Sequence, residues 1–314
     1  MDRDFENDYV IIQELLGRNV KIAKTIHGGN SLIFTVKIQN MNVVVKKYLG
    51  NEIRKSTSMN RESSALHFLN QNDVSIVPKL LLVSPENFMI VMEHLQGSEP
   101  KPNGDSMEAI IAFSKTLRLI YSDDDSFPNS IDGIEKTSDL LAQIGSRINS
   151  MKGEICNEDF LLQARKYLSV LSSRDYEDKV WDKTYSVSDL GIHNMIKGEG
   201  GIRFFDLEFF GADSPVKLIG DFLLHPRNNF SRTLRKRFLN ELSTVYGVTE
   251  SAIADYLQLS ALKWSVIVMR RLQMEKSPAS KIGKGKIEDL AYRYMGLSQC
   301  HGEQLLQKIV NSRI

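Results

Sequence analysis

Apolar and polar positions alternate through "NVKIAKTI", residues 19 to 26, and the apolar-rich runs "SLIFTVKI" and "NVVVKKYL" follow. The turn signals "HGGN" and "QNMN" separate these runs, so the pattern predicts three strands. "STSMNRESSALHFLNQ" follows, opening on Ser and Thr and carrying helical spacing through Ala65, Leu66 and Leu69. Two apolar runs, "KLLLVS" and "FMIVMEHL", predict two more strands. Beyond the Gly- and Pro-rich "QGSEPKPNGD" the period lengthens, predicting helices over 106–121, 136–151 and 158–173. A loop then leads to the short strand "GIRFFD". The chain is mostly helical from 231, with a long segment over 250–274 between Gly247 and "KSPAS". The expectation is an α+β fold: residues 1–95 form a small antiparallel sheet with one helix, and residues 96–314 a larger, mainly helical part.

Composition narrows the class. The 314 residues are 42% hydrophobic and 25% charged, an ordinary globular balance with ample material for a core. Forty basic and thirty-nine acidic residues leave a net charge of +1, so no global field points to a nucleic-acid or membrane partner. "MDRDFENDYV" is acidic and lacks the apolar stretch of a signal peptide, which points to the cytoplasm. No apolar run approaches the roughly 20 residues of a membrane helix. Cys156 and Cys300 lack metal-ligand spacing, and the six histidines are scattered.

The candidate chemistry centres on "VSDLGIHNMIKGEGGIRFFDLEFFGAD", residues 187–213. Asp189, Asn194, Asp206 and Glu208 crowd together there among Phe, Ile and Leu. Asp189 and Asn194 alone would read as turn or cap residues. With a strand ending in Asp-x-Glu, they also form a set of oxygen ligands suited to Mg²⁺, which takes one or two protein oxygens plus substrate phosphates. Gly28 and Gly29 read as a hairpin turn, or as a phosphate cover that backbone amides can approach. A lysine in "VVVKK" either contacts phosphate or lies at a solvated edge. Glu62 sits on the predicted helix, and "IVMEHLQG" is an apolar strand running into a linker. Each signal is weak. Their order is that of the parts in protein-kinase-like phosphoryl transfer: Gly turn, strand Lys, helix Glu, strand plus linker, D-x-x-x-x-N, strand plus Asp.

From about residue 20 to residue 225 the chain resembles the aminoglycoside phosphotransferase and choline kinase-like family, small-molecule kinases of the protein-kinase-like fold. "NRESSALHFL" resembles its R-E-x-x-A-L helix and "MIVMEHLQG" its hinge. "DLGIHN" with "FFDLE" resembles its D-L-x-x-x-N and D-x-E motifs, and Asp221 in "IGDFLLHP" matches a structural Asp. The family usually has His-Gly immediately before the catalytic Asp, the His bracing the loop. Here those positions are Val187 and Ser188, which opens the alternative of a catalytically inactive nucleotide-binding module.

The resemblance implies a two-lobed kinase with ATP between the lobes and its adenine on the backbone of Met92, Glu93, His94 and Leu95. It implies that Gly28 and Gly29 cover the phosphates and that a lysine paired with Glu62 contacts them. Alternation sends Lys46 and Lys47 to opposite faces. Lys46, directly after the Val run, is the choice and Lys47 the fallback. Asn194 and Asp206 would hold Mg²⁺, with Glu208 assisting, and Asp189 would be the base that takes the acceptor hydroxyl's proton. The acceptor should be neutral or anionic, a sugar or glycan intermediate foremost. Residues 231–314 hold fourteen Lys and Arg against seven Asp and Glu, a net of +7 that disfavours polycations. A protein kinase is disfavoured because no A-P-E-like segment follows Asp206.

Overall fold

The computed structural model describes residues 3–122, 127–151, 158–174, 181–274 and 284–311. The chain forms two compact units, Met1–Pro100 with His193–Phe210, and Lys101–Ile192 with Gly211–Ile314.

The first unit begins with α1 (Arg3–Leu16), then β1 (Val20–His27), β2 (Ser31–Ile38), β3 (Met41–Tyr48), α2 (Glu52–Gln71), β4 (Leu80–Ser84) and β5 (Met89–Glu93). The strands pair antiparallel in the order β1-β2-β3-β5-β4, which puts β3 at the centre. Alternation along β3 assigns its two faces. Val43 and Val45 join a core of Phe34, Val36, Met89 and Val91, while Val44 and Lys46 line a cavity. The strand pattern does not anticipate α1. Its Ile12 is fully buried in that core and Ile11, Leu15 and Leu16 pack around it, a short stripe that flanking charges obscure in the sequence. Buried Asp8 of α1 pairs with Lys47, which is therefore committed to the α1 side of the sheet.

Helix α2 starts four residues before the predicted Ser56, because Asn51 caps it by accepting from the Arg54 N–H at 2.9 Å. Its buried positions include Met59, Glu62, Leu66 and Leu69. A carboxylate thus stands in the apolar stripe.

The second unit contains α3 (Gly104–Leu119), α4 (Thr137–Asn149), α5 (Glu158–Ser172) and β6 (Thr184–Ser186). The hairpin β7 (Met195–Gly198) and β8 (Gly201–Phe204) belongs to the first unit. The chain then returns through β9 (Gly211–Asp213), which pairs with β6, to α6 (Pro215–Leu224), α7 (Arg232–Tyr246), α8 (Glu250–Met274), α9 (Lys284–Leu297) and α10 (Gly302–Asn311). The four predicted helices over 106–274 match α3, α4, α5 and α8 to within a few residues. Helix α8 is the hub, packing against α4, α5, α6, α9 and α10. Cys156 and "KSPAS" lie outside the described residues.

Every residue of α6 is buried, which demands a close neighbour. A Cβ on Gly220 would sit 2.3 Å from Tyr256 Cδ1, so the glycine lets α6 approach α8. Gly220→Ala should destabilise the chain by about 2–3 kcal/mol through overpacking, read as a lower urea midpoint at unchanged slope. An unchanged midpoint would show that Tyr256 swings aside freely.

Candidate active site

The first unit concentrates buried charge around Lys46. Its position on the central strand, opposite Ile33 and Ile90, leaves it 4% exposed. Nζ lies 2.7 Å from Glu62 Oε2 and 2.6 Å from Asp206 Oδ1. Burial pushes the ammonium's pKa down, but Glu62, then Asp206 and Glu208, outweigh it, so the net shift is upward and Lys46 stays charged. Tyr48, two residues on and on the same strand face, donates to Glu62 Oε2 at 2.6 Å. The Leu207 N–H approaches the other Glu62 oxygen at 3.4 Å. Tyr48 is not among the sequence candidates, although its spacing from Lys46 makes it legible.

The β7–β8 hairpin gathers the proposed metal ligands. Its register pairs Met195 with Phe204, and the Phe205 N–H donates to the Asn194 carbonyl at 3.0 Å. Asn194 and Asp206 therefore flank one hairpin end, although twelve positions separate them. Asp206 has φ +65°, a left-handed conformation unusual for a non-glycine residue, as strained functional positions often have. Its side chain is 36% exposed. Glu208 is buried and accepts a short hydrogen bond from Asn30 Nδ2 through Oε1, and among the described residues its buried Oε2 has no hydrogen-bond partner. Burial raises its pKa most, Lys46 opposes this, and Asp206 adds to it; the net direction is up. An orphaned carboxylate oxygen beside a half-exposed aspartate is the donor set a hard divalent cation takes.

Gly28 and Gly29 form the exposed turn between β1 and β2, closed by the Gly28 N–H donating to the Ser31 carbonyl at 2.8 Å. Neither has positive φ. A Cβ on Gly28 would come within 3.0 Å of Ser31 Oγ, whereas one on Gly29 would meet open space. The fold therefore does not require glycine at 29. A cavity of about 280 Å³ lies within this unit, with Val44, Lys46, Met92, Leu95 and Asp206 in its wall. Glu93 and His94 also line it. The Glu93 N–H is taken by the Lys79 carbonyl. Its carboxylate is gripped by Arg203 through two contacts, Nη1–Oε1 at 2.6 Å and Nη2–Oε2 at 2.7 Å. This fork ties the Met92–Leu95 segment to β8, three residues before Asp206. The pair is 110 positions apart, and no local pattern marks it.

Asp189 stands in the second unit, its side chain 37% exposed. Ser188 before it has φ +58°, a conformation glycine adopts without strain. The serine is held there by its own polar groups. Its N–H donates to Ser186 Oγ at 3.0 Å, and its Oγ lies 2.7 Å from Ser130 Oγ and 3.2 Å from both Asp213 Oδ2 and Lys217 Nζ. Val187 is buried.

No protein-family model matches the sequence, and no curated protein does either. Solved structures do match. The choline kinase of Cryptosporidium parvum superposes with TM-score 0.67 at 13% identity, covering 98% of each chain. The choline kinase LicA of Streptococcus pneumoniae gives TM-score 0.64 at 17% identity, over 92% of this chain and 99% of that one. The gentamicin complex of APH(2")-IIa gives 0.63 at 15% identity, over 94% and 96%. The chain has the fold of these small-molecule kinases. That covers the expected architecture, an antiparallel-sheet unit followed by a mainly helical one. No helix among the described residues is long and apolar enough to cross a membrane.

Glu208 gives a test with a definite sign. Its pKa is raised in the folded state, so its charge weakens the fold above that range and the penalty fades as pH falls. Glu208→Gln should therefore be more stable than the parent at pH 8, by about 1 kcal/mol, and the gap should narrow towards pH 5 in thermal melts. A gap that widens on acidification would overturn this account of the site's electrostatics.

Proposed function

We propose that the chain is an ATP-dependent phosphotransferase that moves the γ-phosphoryl group to a hydroxyl of a small molecule. The observation that carries this reading is buried Lys46, held between Glu62 and Asp206 on the wall of a cavity. The fold of solved choline, ethanolamine and aminoglycoside kinases supports it. Lys46 meets the α- and β-phosphates as a point charge whose direction Glu62 sets. Gly28 and Gly29 cover the phosphates, and the backbone of Met92 to Leu95 holds the base. Asn194, Asp206 and Glu208 are the residues that would hold Mg²⁺, which when bound offsets negative charge on the phosphates. Asp189 accepts the hydrogen of the attacking hydroxyl, aims its oxygen at the γ-phosphorus, and takes the proton as the new O–P bond forms and the bond to ADP breaks.

The variants separate these roles. Asp189→Asn should leave the melting-temperature rise induced by ATP and Mg²⁺ intact and cut ADP release by about 100-fold or more. Asp206→Ala should lose most of the nucleotide-induced rise as well. If Asp189→Asn turns over at the parent rate, the base lies elsewhere. If no purine nucleotide shifts the parent's melt with Mg²⁺ or Mn²⁺, the kinase reading falls. If nucleotide binds and a broad acceptor screen releases no ADP, the chain is the inactive nucleotide-binding module.

The acceptor we propose is neutral or anionic, with a sugar or glycan intermediate as the leading class. The support is the +7 excess over residues 231–314. Part of that excess is already committed: Arg237 pairs with Glu108 and Glu241, and Lys263 contacts Asp221. Arg270 and Arg271, exposed near the end of α8, are the candidates for meeting an anionic group. Neutral or phosphorylated sugars should be turned over and kanamycin-type polycations should not. Micromolar Michaelis constants for kanamycin would overturn the substrate class while leaving the kinase reading in place.

A further inference from the structure

The segment after α6, "HPRN", has no part in the scheme so far, and its geometry addresses Asp189. His225 ends α6 with extended backbone, φ −65° and ψ 123°, and Pro226 prevents the helix from continuing. Its ring is nearly buried, 11% exposed, and stands edge-on to Trp264 with centroids 5.2 Å apart at 89°. Nδ1 accepts from the Arg227 N–H at 3.1 Å, and Nε2 lies 3.4 Å from Asp189 Oδ1.

These two contacts assign the tautomer of the neutral ring. An Nδ1 that receives a hydrogen carries its lone pair, so the proton sits on Nε2. The opposite tautomer would set N–H against N–H at Arg227 and lone pair against carboxylate at Asp189. Asn228 holds the same loop by its backbone. Its buried Oδ1 accepts from the Ile192 N–H at 3.2 Å, and its Nδ2 donates to the carbonyls of Leu190 at 3.0 Å and Phe222 at 3.1 Å.

We infer that His225 is a positioning residue for Asp189, donating Nε2–H to Oδ1 and turning Oδ2 to the acceptor hydroxyl. The inference rests on the kinase reading of Asp189. A separation of 3.4 Å is long for a hydrogen bond, as contacts of catalytic groups often are before substrate binds. The hydroxyl proton passes to Asp189 Oδ2, and His225 keeps its own proton throughout.

Two isosteres separate positioning from folding. The amide oxygen of His225→Asn can replace Nδ1 and keep the Arg227 contact, but its side chain does not reach Asp189. The amide nitrogen of His225→Gln reaches the Nε2 position. With ATP, Mg²⁺ and water as acceptor, ADP release should show kcat about tenfold lower in His225→Asn at unchanged KM for ATP, and largely recovered in His225→Gln. Parent-like kcat in His225→Asn, or equal losses in both variants with raised KM, would overturn the inference. A long-range ¹H–¹⁵N spectrum of the whole chain reads the contact without turnover. It should show His225 protonated at Nε2, with a resonance that moves in Asp189→Asn. An Nδ1-protonated ring, or an Nε2 resonance indifferent to Asp189, overturns the inference alone. Absence of ADP release from the parent both with water and across the acceptor screen overturns the catalytic reading, and the spectrum then decides the contact separately.

Discussion

The ammonium of Lys46 is the constraint on which the first unit is arranged. A charge this deeply buried is tolerable only with partners at hydrogen-bond distance, and removing one partner of such a pair typically costs about 3–5 kcal/mol. Glu62 and Asp206 are those partners. Satisfying Lys46 therefore fixes three segments together: the central strand, the buried stripe of α2, and the exit from the β7–β8 hairpin. Tyr48 and the Leu207 N–H then complete the hydrogen bonding of Glu62. Arg203 adds a second fastening, binding the same hairpin to Glu93 at the end of β5.

Local rules break where the chemistry is proposed. Asp206 and Ser188 both hold positive φ, and Glu208 keeps a buried oxygen without a partner among the described residues. A fold selected for stability alone would place glycine at the first two positions and a neutral side chain at the third. Strain and unpaired polarity of this kind persist when the surroundings over-determine them. At Ser188 those surroundings are Ser130, Asp213 and Lys217.

The second unit uses the same device in its core. Asp213, Lys217 and Asp221 recur at four-residue spacing from the end of β9 through α6, with Lys217 Nζ 2.8 Å from Asp213 and 3.4 Å from Asp221. Asp221 also accepts from Tyr256 at 2.7 Å and Ser260 at 3.0 Å, both on α8. Burial pushes the Asp221 carboxyl up, but Lys263 and Lys217 outweigh it and hold it well below the ordinary carboxylate range. This buried chain of charges joins the hub helix to the loop before Asp189, because Lys217 reaches both Asp221 and Ser188.

The sequence by itself determined the element order and the separation of a strand-rich part from a helical one, because periods of 2 and 3.6 are local properties of the chain. Alternation alone also required Lys46 and Lys47 to face opposite sides of one strand. It could not say which face looked inward, since that depends on α1 covering one side of the sheet and α2 reaching the other. Glu62 carried a local sign, a carboxylate in an apolar stripe, but its partners did not. Tertiary structure alone decided the Arg203–Glu93 fork, the Asn30–Glu208 contact and the approach of His225 to Asp189. Each joins residues 36 to 178 positions apart, and contacts across such separations depend on packing that no window of sequence contains.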